Sequence, residues 1–411
     1  MSQPVCTSLR IQHMDRLSHI QALLVDDDPM ILALLSAFLE SKGYSVVRAD
    51  NGQAALKQIA QGGVNLVITD WMMPFMDGME LCRAIRKKQH ANYIYLIMLT
   101  SNNEGDSLVT AMQAGVDDFL GKPFSPAELG ARLYAAERVL ALESGLEKRN
   151  RDLAEAYGQL SRELELAKAM QLAVLPKRAD FGRICFDWIF EASSYVGGDI
   201  LDYFRIDDTH LCFYVVDVAG HGVSAAMMAF SAQNYLLSSS HQIAKTIARQ
   251  DGDIGIAAEI MVATHNHHFM QMKETSLYLT IIYGLIDTST GLVALVQAGH
   301  PPPLYVDPAG TVTPIGDGGL PIGILANATY EAHLVQLVPG SRLFLYSDGI
   351  TECANASGTL FGQQRLESIL GSQNGLPLTK AGAEVRQALF EWKGTLGAFD
   401  DDITLLSLEY R

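Results

Sequence analysis

The chain has 411 residues, 48% of them hydrophobic and 18% charged, with a formal net charge of −16. That length predicts two or three domains, and the composition is typical of globular rather than disordered protein. The acidic balance argues against nucleic acid as a main partner, because phosphate backbones select basic surfaces. No apolar run approaches the roughly 20 residues that span a bilayer, and the polar N-terminus lacks a signal-peptide pattern. We therefore expect a cytoplasmic protein with no membrane insertion.

The cysteines do not form a recognisable framework. There are five of them, scattered and without metal-ligand spacing: Cys6, Cys82, Cys185, Cys212 and Cys353. An odd, unpatterned set predicts reduced thiols rather than disulfides.

The first segment, residues 20–140, alternates short apolar runs with amphipathic stretches. Strand–helix units of this length predict a parallel, doubly wound α/β sheet, whose functional groups collect at the carboxyl ends of the strands. Several polar residues fall at those ends: Asp26, Asp27, Asp28, Asp70, Thr100, Ser101 and Lys122. Acids can hold one Mg²⁺ beside a carboxylate nucleophile, while a lysine and a hydroxyl bind phosphoryl oxygens. Any single one of these acids could equally be a helix cap.

Four motifs in this segment resemble the receiver domain of two-component response regulators. They are Val-Asp-Asp-Asp-Pro at 25–29, Thr-Asp-Trp-Met-Met-Pro-Phe-Met-Asp-Gly at 69–78, Leu-Thr-Ser at 99–101 and Lys-Pro-Phe at 122–124. The resemblance implies a five-stranded parallel sheet, phosphorylation of Asp70, and a sensor histidine kinase or phosphotransfer protein as partner. It also implies the remaining roles: Mg²⁺ held by Asp26, Asp27, Asp70 and the carbonyl of Met72, phosphoryl contacts from Thr100 and Lys122, and an aromatic switch at Phe119.

Residues 141–176 read as a helical linker. Leu146, Leu153, Leu160, Ala167 and Val174 recur every seven residues, with Asn150, Tyr157, Leu164 and Gln171 at the complementary position. Such a heptad seam predicts a coiled coil and hence a parallel homodimer whose register Asn150 would fix. A single amphipathic helix lying on one of the domains is the alternative.

Residues 177–411 change to β-rich patterning with glycine-rich turns. Residues 200–206 and 211–216 are strand-like and flank a turn at 207–210. If they form a hairpin, Asp199 lies within about one residue of Asp217 on the neighbouring strand. Two opposed carboxylates are destabilising without a cation between them, so the hairpin predicts a metal.

Two further strand ends carry acids, Asp348 after the run 342–347 and Asp401 before the run 403–406. Four acid-bearing strand ends can enclose two hard divalent cations, which would activate water and stabilise a phosphoryl transition state. No nucleophilic serine or cysteine arrangement is evident, so we expect water to attack.

These stretches resemble the PPM-type, metal-dependent serine/threonine phosphatases, in the bacterial branch typified by stage II sporulation protein E. Gln-Ala-Gly-His-Pro-Pro at 297–302, Gly-Leu-Pro-Ile-Gly at 319–323 and Gln-Leu-Ala-Val-Leu-Pro at 171–176 agree with it. The resemblance implies a β-sandwich core flanked by helices and two Mn²⁺ or Mg²⁺ ions. It assigns Asp217 as the bridging ligand, with the Val218 carbonyl, Asp348, Asp401 and, through water, Asp199 around it. Asp400 and Asp402 are then solvated or indirect, and Asp202 completes the Gly-Gly-Asp-x-x-Asp pattern.

Two groups in this segment invite a functional reading that we do not favour. Residues 265–268 (His-Asn-His-His) resemble a metal cluster but lie in a predicted helix without a paired carboxylate, which favours a surface or packing role. Met227 and Met228 are expected in the core, behind the turn that follows Asp217. The phosphate-binding arginine of mammalian relatives has no evident counterpart.

Together the segments predict a multidomain response regulator whose output dephosphorylates phosphoserine or phosphothreonine on a protein, under control of Asp70. The resemblance implies partner switching, with a phosphorylated anti-sigma-factor antagonist as substrate. The alternative is a catalytically silent adaptor that binds a sigma-factor regulator or sigma factor. Another two-metal hydrolase, such as a phosphodiesterase, fits the motif spacing less well.

Overall fold

The computed structural model describes residues 20–88, 90, 92–101, 109, 112–271, 278–373, 375–394 and 399–411. The chain divides into two compact units, one ending at Gly158 and the other beginning at Gln159. The finer limits of 20–140, 141–176 and 177–411 remain our proposal for the domains. Cys6 lies outside the described residues, and the other four cysteines are free and buried.

The first unit contains a five-stranded, fully parallel sheet in the order β2-β1-β3-β4-β5. Its strands are β1 (Gln21–Val25), β2 (Ser45–Ala49), β3 (Val64–Asp70), β4 (Tyr95–Thr100) and β5 (Asp118–Gly121). Its helices include α1 (Pro29–Lys42), α2 (Gly52–Ala60) and α3 (Gly78–Lys87). Separate buried clusters cover the two faces of the sheet, as expected for a doubly wound fold. The predicted receiver architecture is confirmed.

Local signals explain where the helices of this unit begin and end. The Asp28 carboxylate accepts from the Met30 amide and caps α1, which ends at Gly43 in the left-handed conformation. Asp77 and Glu80 form a reciprocal capping box at the start of α3. These caps place the turns at the carboxyl ends of β1 and β3, where the candidate receiver site lies.

A single helix, α4 (Pro126–Val174), runs through 49 residues. Its first turns close the receiver core, since Leu129, Leu133 and Ala136 are buried. Further along, Leu146, Leu153 and Leu160 are more than half exposed. A long helix linker is therefore confirmed, and its heptad leucines face solvent in the single chain.

The second unit contains two mainly antiparallel sheets. One has the order β14-β11-β10-β9-β8 and the other β13-β12-β15-β16-β7-β6. The strands are β6 (Asp180–Phe181), β7 (Ile184–Glu191), β8 (Ile200–Arg205), β9 (His210–Val218), β10 (Leu279–Asp287), β11 (Leu292–Ala298), β12 (Leu304–Val306), β13 (Val312–Pro314), β14 (Ala332–Gln336), β15 (Arg342–Tyr346) and β16 (Ile403–Tyr410). The helices are α5 (Val223–Ser238), α6 (Ser240–Arg249), α7 (Ile254–Met270), α8 (Asp348–Thr351), α9 (Gln363–Ser372) and α10 (Leu378–Lys393).

The two sheets pack face to face with helices on the outside. Leu343, Leu345 and Leu406 of one sheet share a buried cluster with β8 to β11 of the other and with α5 and α7. Strand β9 is covered on both faces, so residues 211–216 are all fully buried. This double burial explains why that run is continuously apolar rather than alternating. The predicted sandwich with flanking helices is confirmed.

No helix of the described residues combines the length and the apolar character needed to cross a bilayer.

Candidate metal centres

The first cluster of acids lies at the carboxyl edge of the receiver sheet. Asp26 follows β1 and is buried, whereas Asp27 is exposed. Asp70 ends β3, and its Oδ2 accepts from the Met72 amide at 3.2 Å. The structure thus brings together, at one sheet edge, the acids that the sequence placed at separate strand ends.

Lys122 joins this cluster from the loop after β5. Its Nζ lies 2.5 Å from Asp70 Oδ1 and 2.9 Å from Asp26 Oδ2. Burial alone would lower the pKa of Lys122, but the hydrogen bonds and charges of Asp70 and Asp26 outweigh it and raise that pKa. The lysine is therefore held as a cation beside the Asp70 carboxylate.

The turn after β3 leaves no room for a side chain at Gly78. A Cβ there would lie 2.2 Å from the Asp70 carbonyl oxygen, while the Gly78 amide donates to the Trp71 carbonyl at 2.9 Å. Thr100 ends β4 and is buried, and Phe119 on β5 packs on the core. The receiver residues singled out in the sequence therefore lie at or beside this edge, except Phe119, which pairs with Met98 inside the sheet.

The second cluster begins with the hairpin β8–β9. Ile200 pairs with Val216 and Leu201 with Val215, a register that sets Asp199 opposite Asp217. The predicted hairpin register is confirmed. Asp199 is buried and Asp217 is partly exposed, and the two carboxyl groups are close enough for each to shift the pKa of the other.

The ends of β15 and β16 supply the other two acids. The Ser347 amide donates to the Thr404 carbonyl at 3.0 Å, and its hydroxyl donates to the Asp402 carbonyl at 3.1 Å. A Cβ at Gly349 would lie 2.1 Å from that same carbonyl oxygen, so the two strand ends meet only because residue 349 is glycine. This contact brings Asp348 beside Asp401.

The clustered acids perturb one another strongly. Burial, followed by the charges of Asp348 and Asp401, raises the pKa of Asp217 to about 7. Burial, followed by the charges of Asp217 and Asp402, raises the pKa of Asp199 well above its usual range. The pKa values of Asp348 and Asp401 are also raised, chiefly by burial. Without a cation, the site therefore retains protons that isolated carboxyl groups would release.

The donor set fits hard divalent cations. All the clustered groups are carboxylates, the ligand type that Mg²⁺ and Mn²⁺ prefer. Asp199 Oδ2 is buried and has no hydrogen-bond partner among the described residues. Within those residues, the ion pairs include no lysine or arginine joined to Asp199, Asp217, Asp348 or Asp401. Within the described residues, no three histidine, cysteine, aspartate or glutamate side chains lie close enough together to hold a metal ion without moving.

The three consecutive acids at 400–402 have different surroundings. Asp400 is exposed and pairs with Lys393 at 3.2 Å. Asp402 is buried: its Oδ1 accepts from the Ser193 amide at 2.8 Å and hydroxyl at 3.0 Å, and its Oδ2 accepts from the Asp199 amide at 3.3 Å. Asp402 is thus not solvated. It organises the loop that carries Asp199, which fits the indirect role left open for it in the sequence analysis.

Gln171 does not have the coiled-coil position that was predicted for it from the sequence. Its side chain is buried, with Oε1 accepting from the Gly197 amide at 3.0 Å and Nε2 donating to the Gly197 carbonyl at 2.9 Å and the Asp199 carbonyl at 3.3 Å. A residue with these contacts cannot also face a partner helix. The seam assigned to α4 is therefore wrong at Gln171, where the helix packs on its own unit.

The histidine-rich stretch 265–268 has packing roles. His265 is buried between the rings of Tyr235 and Tyr283, and burial lowers its pKa to about 3. His268 stacks on Tyr235 with ring centroids 3.6 Å apart. The expectation that this stretch packs rather than binds metal is supported by these contacts.

Two residues near the start of α5 were not predicted correctly from the sequence: Met227 was assigned to the core, and His221 was given no role. Met228 is buried as predicted, but Met227 is 62% exposed, so its assignment to the core is wrong. His221, in the glycine-bracketed turn after Asp217, is exposed and close enough for its positive form to lower the pKa of Asp401. The sequence motif contained His221, but spacing alone gave it no role.

A phosphoacceptor-type sheet followed by an acid-lined sandwich defines a response regulator with a phosphatase-type output domain. Residues 22–134 match the model of the response regulator receiver domain, and residues 207–411 match that of Stage II sporulation protein E (SpoIIE). The chain therefore carries a receiver domain followed by a SpoIIE-type PPM phosphatase domain.

The individual relatives described here each match only part of the chain. The phosphate regulon regulator PhoB of Pseudomonas aeruginosa is 39% identical over 116 residues, 28% of this chain and 51% of that protein. The phosphoserine phosphatase RsbP of Bacillus subtilis is 29% identical over 191 residues, 46% of this chain and 45% of that protein. The chain spans about half the length of these curated relatives. The SiaA-PP2C domain of P. aeruginosa has the same fold, with a TM-score of 0.52 at 23% identity, over 63% of this chain and 100% of that one.

Proposed function

We propose that this protein is a response regulator whose receiver controls a metal-dependent protein serine/threonine phosphatase. The observation that carries the proposal is the opposed pair Asp199 and Asp217, set on neighbouring strands with Asp348 and Asp401 beside them. Buried like charges oppose folding, so replacing these acids would stabilise the fold. Their presence is therefore better explained by a function than by a structural role.

In the phosphatase domain, Asp217 would bridge two Mn²⁺ or Mg²⁺ ions. The Val218 carbonyl would join one ion, Asp348 and Asp401 the other, and Asp199 would act through water. When bound, the two ions would lower the pKa of water and stabilise the charge of a transferring phosphoryl group. His221, exposed in the turn after Asp217, would give a proton from its imidazolium form to the leaving serine or threonine oxygen.

In the receiver, Asp70 is the proposed phosphorylation site, and a histidine kinase or phosphotransfer protein the proposed donor. Asp26, Asp27, Asp70 and the Met72 carbonyl would hold Mg²⁺. Lys122 already contacts Asp70 as a cation and, with Thr100, would bind the phosphoryl oxygens. Phe119 is the proposed aromatic switch.

Helix α4 is the proposed route of control. Three of its heptad leucines, Leu146, Leu153 and Leu160, are more than half exposed, which supports pairing with a second copy into a homodimer. Near its other end, Gln171 holds the backbone on either side of Asp199. A shift or rotation of α4 on receiver phosphorylation would therefore reach the acid pair through this side chain.

The proposed substrate is a phosphoserine or phosphothreonine on an anti-sigma-factor antagonist. The similarity to RsbP, which is named a phosphoserine phosphatase, supports the phosphoamino acid. The silent-adaptor alternative predicts loss of the acids, and all four are present and clustered. We therefore favour the enzyme.

The proposal is tested by Mn²⁺-dependent release of phosphate from p-nitrophenyl phosphate and from phosphorylated antagonist proteins. Asp217→Asn should abolish release, whereas Asp400→Asn, a matched change at an exposed acid, should leave it unaltered. Full activity of Asp217→Asn would refute the catalytic assignment.

A separate comparison tests whether the receiver controls the phosphatase. Wild type and Asp70→Asn are assayed with and without beryllofluoride, which mimics a phosphoryl group on aspartate. We expect beryllofluoride to change the rate of wild type but not of Asp70→Asn. Equal rates of wild type under both conditions would refute control by Asp70.

A further inference from the structure

The Gln-Ala-Gly-His-Pro-Pro stretch at 297–302 helped to identify the phosphatase domain, but no role has been given to its residues. The Gln297 side chain fixes the loop after β11, since its Nε2 donates to the His300 carbonyl at 2.6 Å and its Oε1 accepts from the Gly318 amide at 2.7 Å. Gly299 turns the chain with a φ of 75°, and a Cβ there would lie 2.5 Å from Pro321. The loop is thus built to place His300 in one position.

His300 extends a row of polar residues across the end of one sheet. Its ring is buried, and its Nδ1 lies 2.7 Å from Thr280 Oγ1. Thr280 on β10 is the register partner of Asp217 on β9, which in turn faces Asp199. Register partners project to the same face of a sheet, so the Thr280 hydroxyl lies beside the Asp217 carboxylate.

The protonation of His300 decides which way this hydrogen bond runs. Burial lowers the pKa of His300 to about 3, so the ring is neutral and has one N–H donor and one acceptor nitrogen. Nε2 is buried and has no hydrogen-bond partner among the described residues, so the contact of Nδ1 with Thr280 Oγ1 is the polar contact that orients the ring. Either atom of this pair can donate, and in both cases the bond fixes the rotation of the Thr280 side chain.

We propose that His300 is a positioning residue that fixes the Thr280 side chain beside Asp217. Held in this way, the Thr280 oxygen can form a hydrogen bond with a water at the acid pair and hold it for attack. This inference rests on the proposed phosphatase activity and adds two residues to that site.

A double-mutant cycle tests the coupling. Thr280→Val removes the hydroxyl at nearly constant volume, and His300→Phe removes the hydrogen-bond partner of that hydroxyl. We expect each to lower kcat for p-nitrophenyl phosphate by about 10- to 100-fold with KM nearly unchanged, and the double variant to lose no more than the worse single variant. Thr280→Ser, which keeps the hydroxyl, should lose at most about threefold. Multiplicative losses in the double variant would overturn the proposal.

His265→Phe is the matched control, because it replaces another buried, neutral histidine in the same unit. Its kcat should be near that of wild type, and a loss comparable to that of His300→Phe would overturn the proposal. Melting temperatures of all variants identify any failure to fold, and Thr280→Val, a change at a partly exposed site, keeps the test open if His300→Phe unfolds.

A second readout does not depend on activity. Two-bond ¹H–¹⁵N correlation spectra of histidine-labelled full-length protein report which ring nitrogen carries the proton. We expect a neutral ring with one fixed tautomer at His300 between pH 6 and 8. A charged ring, or a mixture of the two tautomers, would overturn the proposal. If wild-type protein released no phosphate, the proposed function would fail, and these spectra would still decide the assignment of His300.

Discussion

Replacing Asp217 by asparagine is expected to stabilise the metal-free protein while abolishing its activity. In the folded protein, burial and three neighbouring carboxylates raise the pKa of Asp217 to about 7. In the unfolded chain the same group has a pKa of about 3.9. Asparagine keeps the shape of the side chain and removes the charge that the fold disfavours.

The size of the effect follows from linkage. Between the two pKa values the folded protein binds a proton that the unfolded chain has released, so stability decreases as pH rises from about 4 to about 7. The shift of about 3 pKa units corresponds to about 4 kcal/mol above pH 7. Asparagine is itself a buried polar group and loses the contact with Asp199, so we expect a net gain of roughly 2 to 3 kcal/mol at pH 8. At pH 4 the gain should vanish.

The assay is thermal unfolding of the full-length protein in EDTA and in excess Mn²⁺, from pH 4 to pH 8. In EDTA at pH 8, the phosphatase-domain transition of Asp217→Asn should lie roughly 4 to 12 °C above that of wild type. Mn²⁺ should raise the wild-type transition and leave that of the variant nearly unchanged. Asp400→Asn serves as the control and should match wild type throughout. A metal-free Asp217→Asn protein less stable than wild type at pH 8, or one with the same pH dependence, would refute the reasoning.

Three further predictions concern other parts of the chain. Gly197→Ala puts a Cβ 2.2 Å from Asp402 Oδ2, so that carboxylate must move and stability in urea should fall by about 3 kcal/mol; a loss below 1 kcal/mol would contradict the proposed packing. Leu153→Lys should convert a dimer into a monomer in light scattering, whereas Leu166→Lys, equally exposed but off the seam, should not. His265→Phe should remove one contribution to the pH dependence of stability, a loss of about 1.4 kcal/mol per pH unit as pH falls below 6.5, because the buried ring has a pKa of only about 3. If the stabilities of variant and wild type differed by the same amount at every pH, this histidine would make no such contribution.

The sequence was most informative where chemistry and periodicity coincide. Asp199 and Asp217 could be placed opposite each other because a short hairpin turn fixes the register of two strands, and the structure has that register. The receiver acids could be grouped because parallel strands deliver their carboxyl ends to one edge. Such inferences need only local geometry and the regular pitch of the elements.

Contacts between elements distant in the chain were not readable in the same way. Asp400 and Asp402 are identical in type and two residues apart, and only the arrival of Ser193 against one of them separates a surface acid from a buried one. His300 reaches Thr280 through a loop conformation fixed by Gln297. Contacts of this kind produce no periodic pattern in the sequence from which they could be predicted.

Gln171 shows how one pattern can hide another. Its heptad position is genuine, since a stripe of residues seven apart stays on nearly one side of a helix. At Asn150 and Tyr157, which share its heptad position, that side is exposed, whereas at Gln171 it is buried against the loop before β8. The spacing of the residues could identify the stripe. It could not show where along the helix the stripe stops facing solvent and begins to pack on its own unit.

The unbroken α4 restricts how this protein can change its length. Each residue added to an α-helix turns everything beyond it by about 100°, so a single insertion between Leu153 and Gln171 would change by that angle the direction in which Leu146 and Leu153 point relative to Gln171. Seven residues restore the orientation to within about 20°. The linker can therefore lengthen or shorten by whole heptads and keep the exposed leucines and Gln171 in the same relative orientation around the helix. Changes of other lengths would alter that orientation.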